Sequence, residues 1–575
     1  MAFIKTTTNK EGRTHVYLVE GYRKDGKVRQ RILKKYGLLD ELEVEEPDIL
    51  ERLKREAKEG LLTEPQFFQV SYDLLAPMNE VDQSYGWMVL DNLFEELKLT
   101  EFLKTVKSKS EYDLAQILKL LVFQRVLNPD SKLSTYASQV NLFGHWEISL
   151  NAIYRSLDKL DTLKEKLLLH LHKEVSRMTK REARLVFYDV TNYYFETDIP
   201  DETVVSVDGE ILKEGLRRRG PSKEHRPKPI VQLGLFMDTN GIPISYKLFR
   251  GNQTDPITYL PAVEEVKKQF GIERIVVVAD KAMNSSYNIS EMIHQKDGWL
   301  FSQKHRGRRG ASKELQTQIL NPNDWQFNKE LTFAKKSYLR ERKLGTKKDS
   351  PLVKEKVLIT WSKKYADRER IRREGALEYA SQLTNAELFR QTSKKGGKKY
   401  LDLHYLDEKT GELKPFSPLV TIDHEQVDFD AQFDGVNVLV TSEVGMTDEE
   451  MLEAYKELAK IEDCFRITKT ELESRPVYVW TENHIQAHFL TCFIALIHLR
   501  LLQHQINWKM SPRRIANALN SAKATRLQDN YYRLQESPDM QLLNRLLGME
   551  WNKGFVKFEE LKNYAKAPYT TPKRD

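Results

Sequence analysis

The sequence predicts a mixed α/β fold, and three observations carry that reading. Hydrophobic spacing changes at residue 184 from a helical to a strand pattern, strands then alternate with helices to residue 302, and strand pattern resumes at Val436–Val440. With 575 residues, the chain exceeds what one growing core supports, so several domains are expected. Its 40% hydrophobic and 10% aromatic content excludes a disordered polymer.

Residues 1–45 alternate apolar and polar positions around Gly-containing turns, which predicts a small β-hairpin unit. Eight Lys and Arg between residues 13 and 35 make DNA contact an expectation there. Residues 46–180 shift to helical spacing, as in Leu90-x-x-Leu93-Phe94-x-x-Leu97, Leu114 to Leu121 and Leu157 to Leu171. Breaks at Asn128-Pro129 and at Asn141 to Gly144 divide these helices, and a DNA-binding helical domain is expected.

Residues 181–302 read as a strand-rich core. Leu185-Val-Phe-Tyr-Asp189-Val-Thr is an apolar strand holding a carboxylate, and Ile230–Met237 and Ile244–Phe249 flank the turn Asp238-Thr-Asn-Gly241. Asp255-Pro256 opens a helix to Phe270. Ile275 to Asp280 is a second strand ending on a carboxylate, followed by a helix near Tyr287–Gln295 and a strand at Trp299–Ser302.

Residues 303–433 read as a basic, β-rich insertion. Residues 301–400 hold 26 Lys and Arg against 11 Asp and Glu, a local +15, whereas the whole chain is +7 and its remainder therefore −8. Such a block suits a surface that follows a polyanion, although a solvated basic face has the same composition. Residues 434–500 return to the core, with a capping box at Thr447-Asp-Glu-Glu450 opening a helix. Residues 501–575 are expected to be helical and to serve dimerisation.

On the helix that starts at Thr447, Tyr455, Glu462 and Lys469 recur every seven residues, so a regular helix projects them from one face. Leaving Asp189 buried and unpaired would be costly. A cap or ion pair would satisfy it, and so would a hard divalent cation held together with Asp280 and Glu462. Two cysteines, Cys464 and Cys492, cannot build a cysteine-rich metal site, so oxygen or histidine ligands are required. His484 and His488 lack a third partner and read as structural; Trp325 and Trp361 read as core packing more readily than as base-stacking residues. The N-terminal Met-Ala-Phe-Ile-Lys lacks a signal-peptide run, and the apolar stretch Phe489–Leu502 is interrupted by His498 and Arg500. A cytoplasmic protein without a membrane partner is expected.

The order Asp, Asp, Glu on strand, strand and helix resembles the ribonuclease-H-like core of DDE transposases. The late helix is similar to the Tyr-x2-Arg-x3-Glu-x6-Lys motif of the insertion-sequence-four superfamily of bacterial transposases. Tyr455, Glu462 and Lys469 match it, but Leu458 stands where that motif has Arg. Tyr188 to Phe195, Gly220 to Arg226 with Pro227, Phe249 to Asn252 and Arg475 to Ile485 are similar to one branch of the superfamily.

The resemblance implies a ribonuclease-H-like mixed sheet in which Asp189, Asp280 and Glu462 bind Mg²⁺ or Mn²⁺, as two ions. It implies that Tyr455 and Lys469 steady DNA phosphates, with Arg466 or Arg475 replacing the missing Arg. Lys223, His225 and Arg226, in a basic loop, and Arg368 and Arg372, in the insertion, are further expected DNA contacts. The implied activity is strand cleavage at transposon ends and strand transfer into target DNA, by a homodimer that pairs two terminal inverted repeats in the bacterial nucleoid. A resolvase-type ribonuclease-H-like nuclease and a DNA-binding protein without catalysis are the alternatives.

Overall fold

The computed structural model describes residues 2–9, 12–24, 27–45, 48–58, 82–106, 112–181, 184–206, 208, 211–220, 228–306, 313–345, 350–382, 401–406, 413–527, 530–549 and 553–561. The chain forms two compact units. One comprises Met1–Gln83, Lys523–Gln535 and Met549–Tyr564, the other Ser84–Ala522, Glu536–Gly548 and Ala565–Asp575.

In the smaller unit, β1 (Ala2–Thr8), β2 (Thr14–Lys24) and β3 (Lys27–Leu38) pair antiparallel in that order. The expected hairpin is thus the β2–β3 part of a three-stranded sheet. Helices α1 (Leu39–Glu45) and α2 (Ile49–Lys58) follow. On α2 the four-residue spacing of Ile49, Leu53 and Ala57 gives one apolar stripe, and Ile49 and Leu53 pack with Val16 of the sheet. The same unit holds strands Lys523–Arg526, Tyr531–Gln535 and Phe555–Lys557, paired antiparallel. The expectation of a mostly helical 501–575 misses these strands. Strands of three to five residues with one or two buried positions, such as Tyr532 and Val556, are too short for a two-residue period to stand out beside helices.

The larger unit begins with α3 (Trp87–Glu96), α4 (Leu99–Thr105), α5 (Leu114–Leu127), α6 (Lys132–Ser138) and α7 (Leu150–Thr179). Side chains of Asp113 and Ser149 cap α5 and α7 by accepting backbone N–H bonds. Both helices pack on α15 (Glu482–Gln505), in which every residue from Ile485 to His504 except Gln486 is buried. By length and composition α15 could cross a bilayer, yet its apolar circumference lies inside the unit, as expected of a central core helix. The helices from Trp87 to Thr179 therefore share one unit with the sheet.

Burial around α15 has a measurable cost at Lys132. Its side chain is buried beside Arg125, and burial first, then that charge, pull its ammonium down to about 7. A lysine whose folded value lies below its unfolded one destabilises the fold most below pH 7, and the penalty is relieved between about pH 7 and 10.5. Lys132→Met is expected to stabilise the protein at pH 6–7 by on the order of a few kcal/mol, a gain that vanishes near pH 10.5. Denaturant unfolding across that range measures it; a gain independent of pH would contradict the account.

The sheet of the larger unit contains β4 (Leu185–Tyr194), β5 (Ile230–Met237), β6 (Pro243–Arg250), β7 (Val276–Ala279), β8 (Gly298–Ser302), β9 (Phe333–Lys343), β10 (Leu352–Ser362) and β11 (Val436–Thr441). From the edge formed by Gln326–Phe327, its order is β9-β10-β11-β8-β7-β4-β5-β6. β7 runs parallel to β4 and β8, whereas the other pairs are antiparallel. The β5–β6 turn closes through a Gly241 N–H bond to the Asp238 carbonyl, with Gly241 at φ 78°.

Five helices flank these strands in sequence: α8 (Asp255–Phe270), α9 (Ser286–His294), α10 (Lys313–Leu320), α11 (Lys363–Gln382) and α12 (His424–Ala431). Tyr259 and Val263 of α8, Ile289 of α9 and Leu315 of α10 share a core with Tyr188, Phe236 and Val438. The segment read from sequence as a basic insertion is joined to the core sheet. Its hairpin β9–β10 pairs with β11 and extends the central sheet, because β10 alternates buried Val353, Glu355 and Val357 on the inner face.

Candidate active site

Strand register brings the two aspartates together. β7 pairs with β4 so that Val278 stands opposite Phe187, and continuing this parallel register by two residues sets Asp280 level with Asp189. Adjacent strands lie about 4.8 Å apart and paired residues point to the same side, so both carboxylates rise from one face. β7 also pairs with β8, Ala279 opposite Phe301, which sets Ser302 beside Asp280. The Ser302 hydroxyl donates to Asp280 Oδ1 at 2.9 Å, and Asp189 Oδ1 accepts the Val190 N–H at 2.8 Å.

The third acid arrives on a helix that is less regular than the sequence spacing implies. It divides into α13 (Asp448–Glu457), α14 (Ala459–Arg466) and a π-turn at Ile467–Glu471. The capping box at Thr447 and Glu450 forms as expected. Leu458 is the junction: its N–H bonds back to the Tyr455 carbonyl, and Ile461 N–H bonds to the Leu458 carbonyl, three-residue steps that tighten one turn. The expectation of one continuous helical face is corrected accordingly. Tyr455, Glu462 and Lys469 lie on three successive segments, and a tightened turn followed by a widened one offset each other.

Tyr455 lies within electrostatic reach of all three acids. Its hydroxyl hydrogen-bonds Ser302, and it feels the charges of Asp280, Glu462 and Asp189. Burial above all, and then those charges, push the phenol up to about 12, against the pull of the Ser302 bond. It is therefore a neutral donor throughout the physiological range. Lys469 approaches from the π-turn: Nζ donates to Thr191 Oγ1 at 2.7 Å and lies 5.6 Å from the Tyr193 ring centre. Thr191 follows Asp189 on the same face of β4, so the ammonium stands about 7 Å along the strand from the carboxylate. Ser302 and Thr191 are residues that sequence reasoning missed; a lone hydroxyl inside an apolar strand carries no signal until its neighbour across the sheet is known.

The donor set fits a hard cation in chemistry, since carboxylate and hydroxyl oxygens suit Mg²⁺ or Mn²⁺. Among the described residues no three Asp, Glu, His or Cys side chains approach closely enough to ligate one ion together. Asp189 is half-buried while Asp280 and Glu462 reach solvent, so the site is open to solvent.

The remaining expected contacts vary in their surroundings. Arg466 is held by Asp463 and Glu471, and Arg475 stacks 5.6 Å from the Tyr194 ring centre. Arg368 and Arg372 are exposed on α11, while Lys223, His225 and Arg226 lie outside the described residues. Part of the insertion's positive charge is already paired: Arg306 with Glu369 inside it, and Arg373 with Asp434 and Lys356 with Asp448 beyond its end. Trp325 and Trp361 pack against the core, as ordinary packing requires. His484 pairs with Asp158, and His488 bonds the Ser474 carbonyl.

The family described as "Transposase DDE domain" matches residues 199–497, slightly more than half of the chain. That span contains Asp280 and Glu462 and begins after Asp189. Residues 4–64 match "IS1634 family transposase, N-terminal domain". No curated protein matches the chain. Among solved structures, a piggyBac transposase synaptic complex with hairpin DNA shares 9% identity over 85% of this chain and 86% of that chain, with a TM-score of 0.34. A Mos1 transposase paired-end complex shares 12% identity over 33% of this chain and 59% of that one, with a TM-score of 0.14.

Proposed function

The chain belongs to the DDE transposases, and from that premise we propose that Asp189, Asp280 and Glu462 form the catalytic centre for DNA strand cleavage at transposon ends and strand transfer into target DNA. The observation that carries this assignment is the strand register that sets Asp189 level with Asp280, with Tyr455, seven residues before Glu462, feeling the charge of all three acids. The strand order β6-β5-β4-β7-β8, with the first three antiparallel and the last two parallel to β4, supports a ribonuclease-H-like core. Divalent-metal dependence accompanies the family; Mg²⁺ or Mn²⁺, as two ions, is our finer reading. Bound there, such ions lower the pKa of an attacking water and stabilise the leaving oxygen.

The protein's own groups supply the rest. Ser302 orients Asp280, and neutral Tyr455, once its hydroxyl turns from Ser302, donates to a phosphate oxygen. Lys469, steadied by Thr191, places positive charge where a phosphate would lie next to the acids. Arg466, held by Asp463 and Glu471, or Arg475, beside the Tyr194 ring, is proposed for the role that Leu458 vacates. Lys223, His225 and Arg226 remain proposed DNA contacts. Pairing two ends requires two catalytic centres, so we read the working form as a homodimer on DNA. The test is incubation of the full chain with Mg²⁺ and a labelled terminal inverted repeat: 3′-end cleavage is expected, and binding without cleavage would contradict the proposal.

Arg368 and Arg372 project from α11 into solvent, and contact with DNA phosphates would make each contribute to salt dependence. Replacing both by Gln is expected to flatten the slope of log affinity against log salt by about 2. An unchanged slope would show that this face of α11 meets only solvent.

A further inference from the structure

Arg500 is among the largest fully buried side chains, 1% exposed, in the C-terminal part of the apolar helix α15. Burying a guanidinium is expensive unless its donors are satisfied. Here they are, and all but one of the partners belong to a single segment. Nε and Nη2 each lie 3.2 Å from Cys464 Sγ, and Nη2 donates to the Lys460 carbonyl at 2.9 Å. Nη1 lies 3.0 Å from Asp463 Oδ2 and donates to Gln503 Oε1 at 3.0 Å. The guanidinium also stacks 5.2 Å from the ring centre of Trp508, which Lys460 covers at 5.7 Å.

Lys460, Asp463 and Cys464 bracket Glu462 on α14. Asp463 continues outward, because its Oδ1 takes Nε and Nη2 of Arg466, whose Nη1 reaches Glu471 at 3.0 Å. Glu471 ends the π-turn that carries Lys469. One chain of charge-assisted bonds thus runs from the core through the segment bearing Glu462 to the segment bearing Lys469. A hydrophobic residue at 500 would fill the core without making any of these bonds.

We propose that Arg500 is a positioning residue for the reaction: it fixes α14 and the π-turn so that Glu462 and Lys469 are presented together. The proposal rests on the reading of Glu462 as a metal ligand. It predicts that loss of Arg500 is felt at the metal through Glu462, and not as a general loss of packing. The planar fork is essential, so Arg500→Lys should recover only part of the function.

Mn²⁺ binding to the full chain, followed by electron paramagnetic resonance, tests this independently of catalysis. Arg500→Met is expected to weaken Mn²⁺ about tenfold. Glu462→Gln is expected to weaken it too, and the double variant no further than Glu462→Gln alone. Additive losses, or unchanged Mn²⁺ affinity in folded Arg500→Met, would overturn the proposal. If Arg500→Met does not fold, Asp463→Asn removes one partner from the surface side; weaker Mn²⁺ binding supports the proposal and unchanged binding overturns it. Normal Mn²⁺ binding by Glu462→Gln itself would instead reject Glu462 as a ligand, a separate failure.

Discussion

Replacing Asp189 by Asn is expected to lower strand cleavage at a transposon end by about a thousandfold or more while leaving the fold and end binding nearly intact. The substitution conserves shape, and the amide oxygen can still accept the Val190 N–H that Oδ1 accepts now. What disappears is a negative charge level with Asp280 on the neighbouring strand. Metal-assisted stabilisation of transition-state charge supplies several kcal/mol, and each 1.36 kcal/mol is a factor of ten in rate. Cleavage of labelled ends by the variant and the unmutated chain, with binding measured in parallel, checks the result. Residual cleavage within tenfold would mean that the first acid lies elsewhere.

Glu355→Ala is expected to cost the larger unit about 3–5 kcal/mol. Glu355 is fully buried on β10, where it holds Arg340 at 2.8 Å and Arg342 at 2.8 Å and accepts the indole N–H of Trp299 at 3.3 Å. Burial pushes this carboxyl up, but the bonds and charges of Arg342 and Arg340 outweigh it and hold it below its usual range. Truncation leaves buried Arg340 with Gln303 alone among the acceptors described for its guanidinium. Because Trp299 lies on β8, the loss would spread into the strands beside Asp280. Thermal unfolding of the variant should therefore show the whole larger unit destabilised. An unchanged transition would mean that the β9–β10 hairpin is an independent excursion after all.

Residue pattern alone predicted the strands at 185–191, 230–237 and 299–302 and the capped helix after Thr447, because each has a strong period or a local side-chain cap. What escaped it depends on pairing across long sequence separations. The hairpin of the basic segment joins the sheet through partners some 80 residues away, such as Leu358 with Leu439, and no local period reports this. The same holds at the site. Asp189 and Asp280 announced themselves as carboxylates in apolar strands. Ser302, Thr191 and Arg500 did not, since their roles come from what faces them. The seven-residue row from Tyr455 to Lys469 was legible as a row, but its tightening at Leu458 and its π-turn follow from tertiary packing that helical periodicity does not encode.

The central claim is that Asp189, Asp280 and Glu462 act as one metal centre. Anomalous diffraction from crystals of the full chain bound to an uncleaved terminal repeat and soaked in Mn²⁺ tests it most directly. The account predicts manganese peaks about 2.0–2.2 Å from oxygens of all three carboxylates, with Lys469 beside the scissile phosphate. Manganese bound elsewhere, or bound without Asp189 or Glu462, would contradict it.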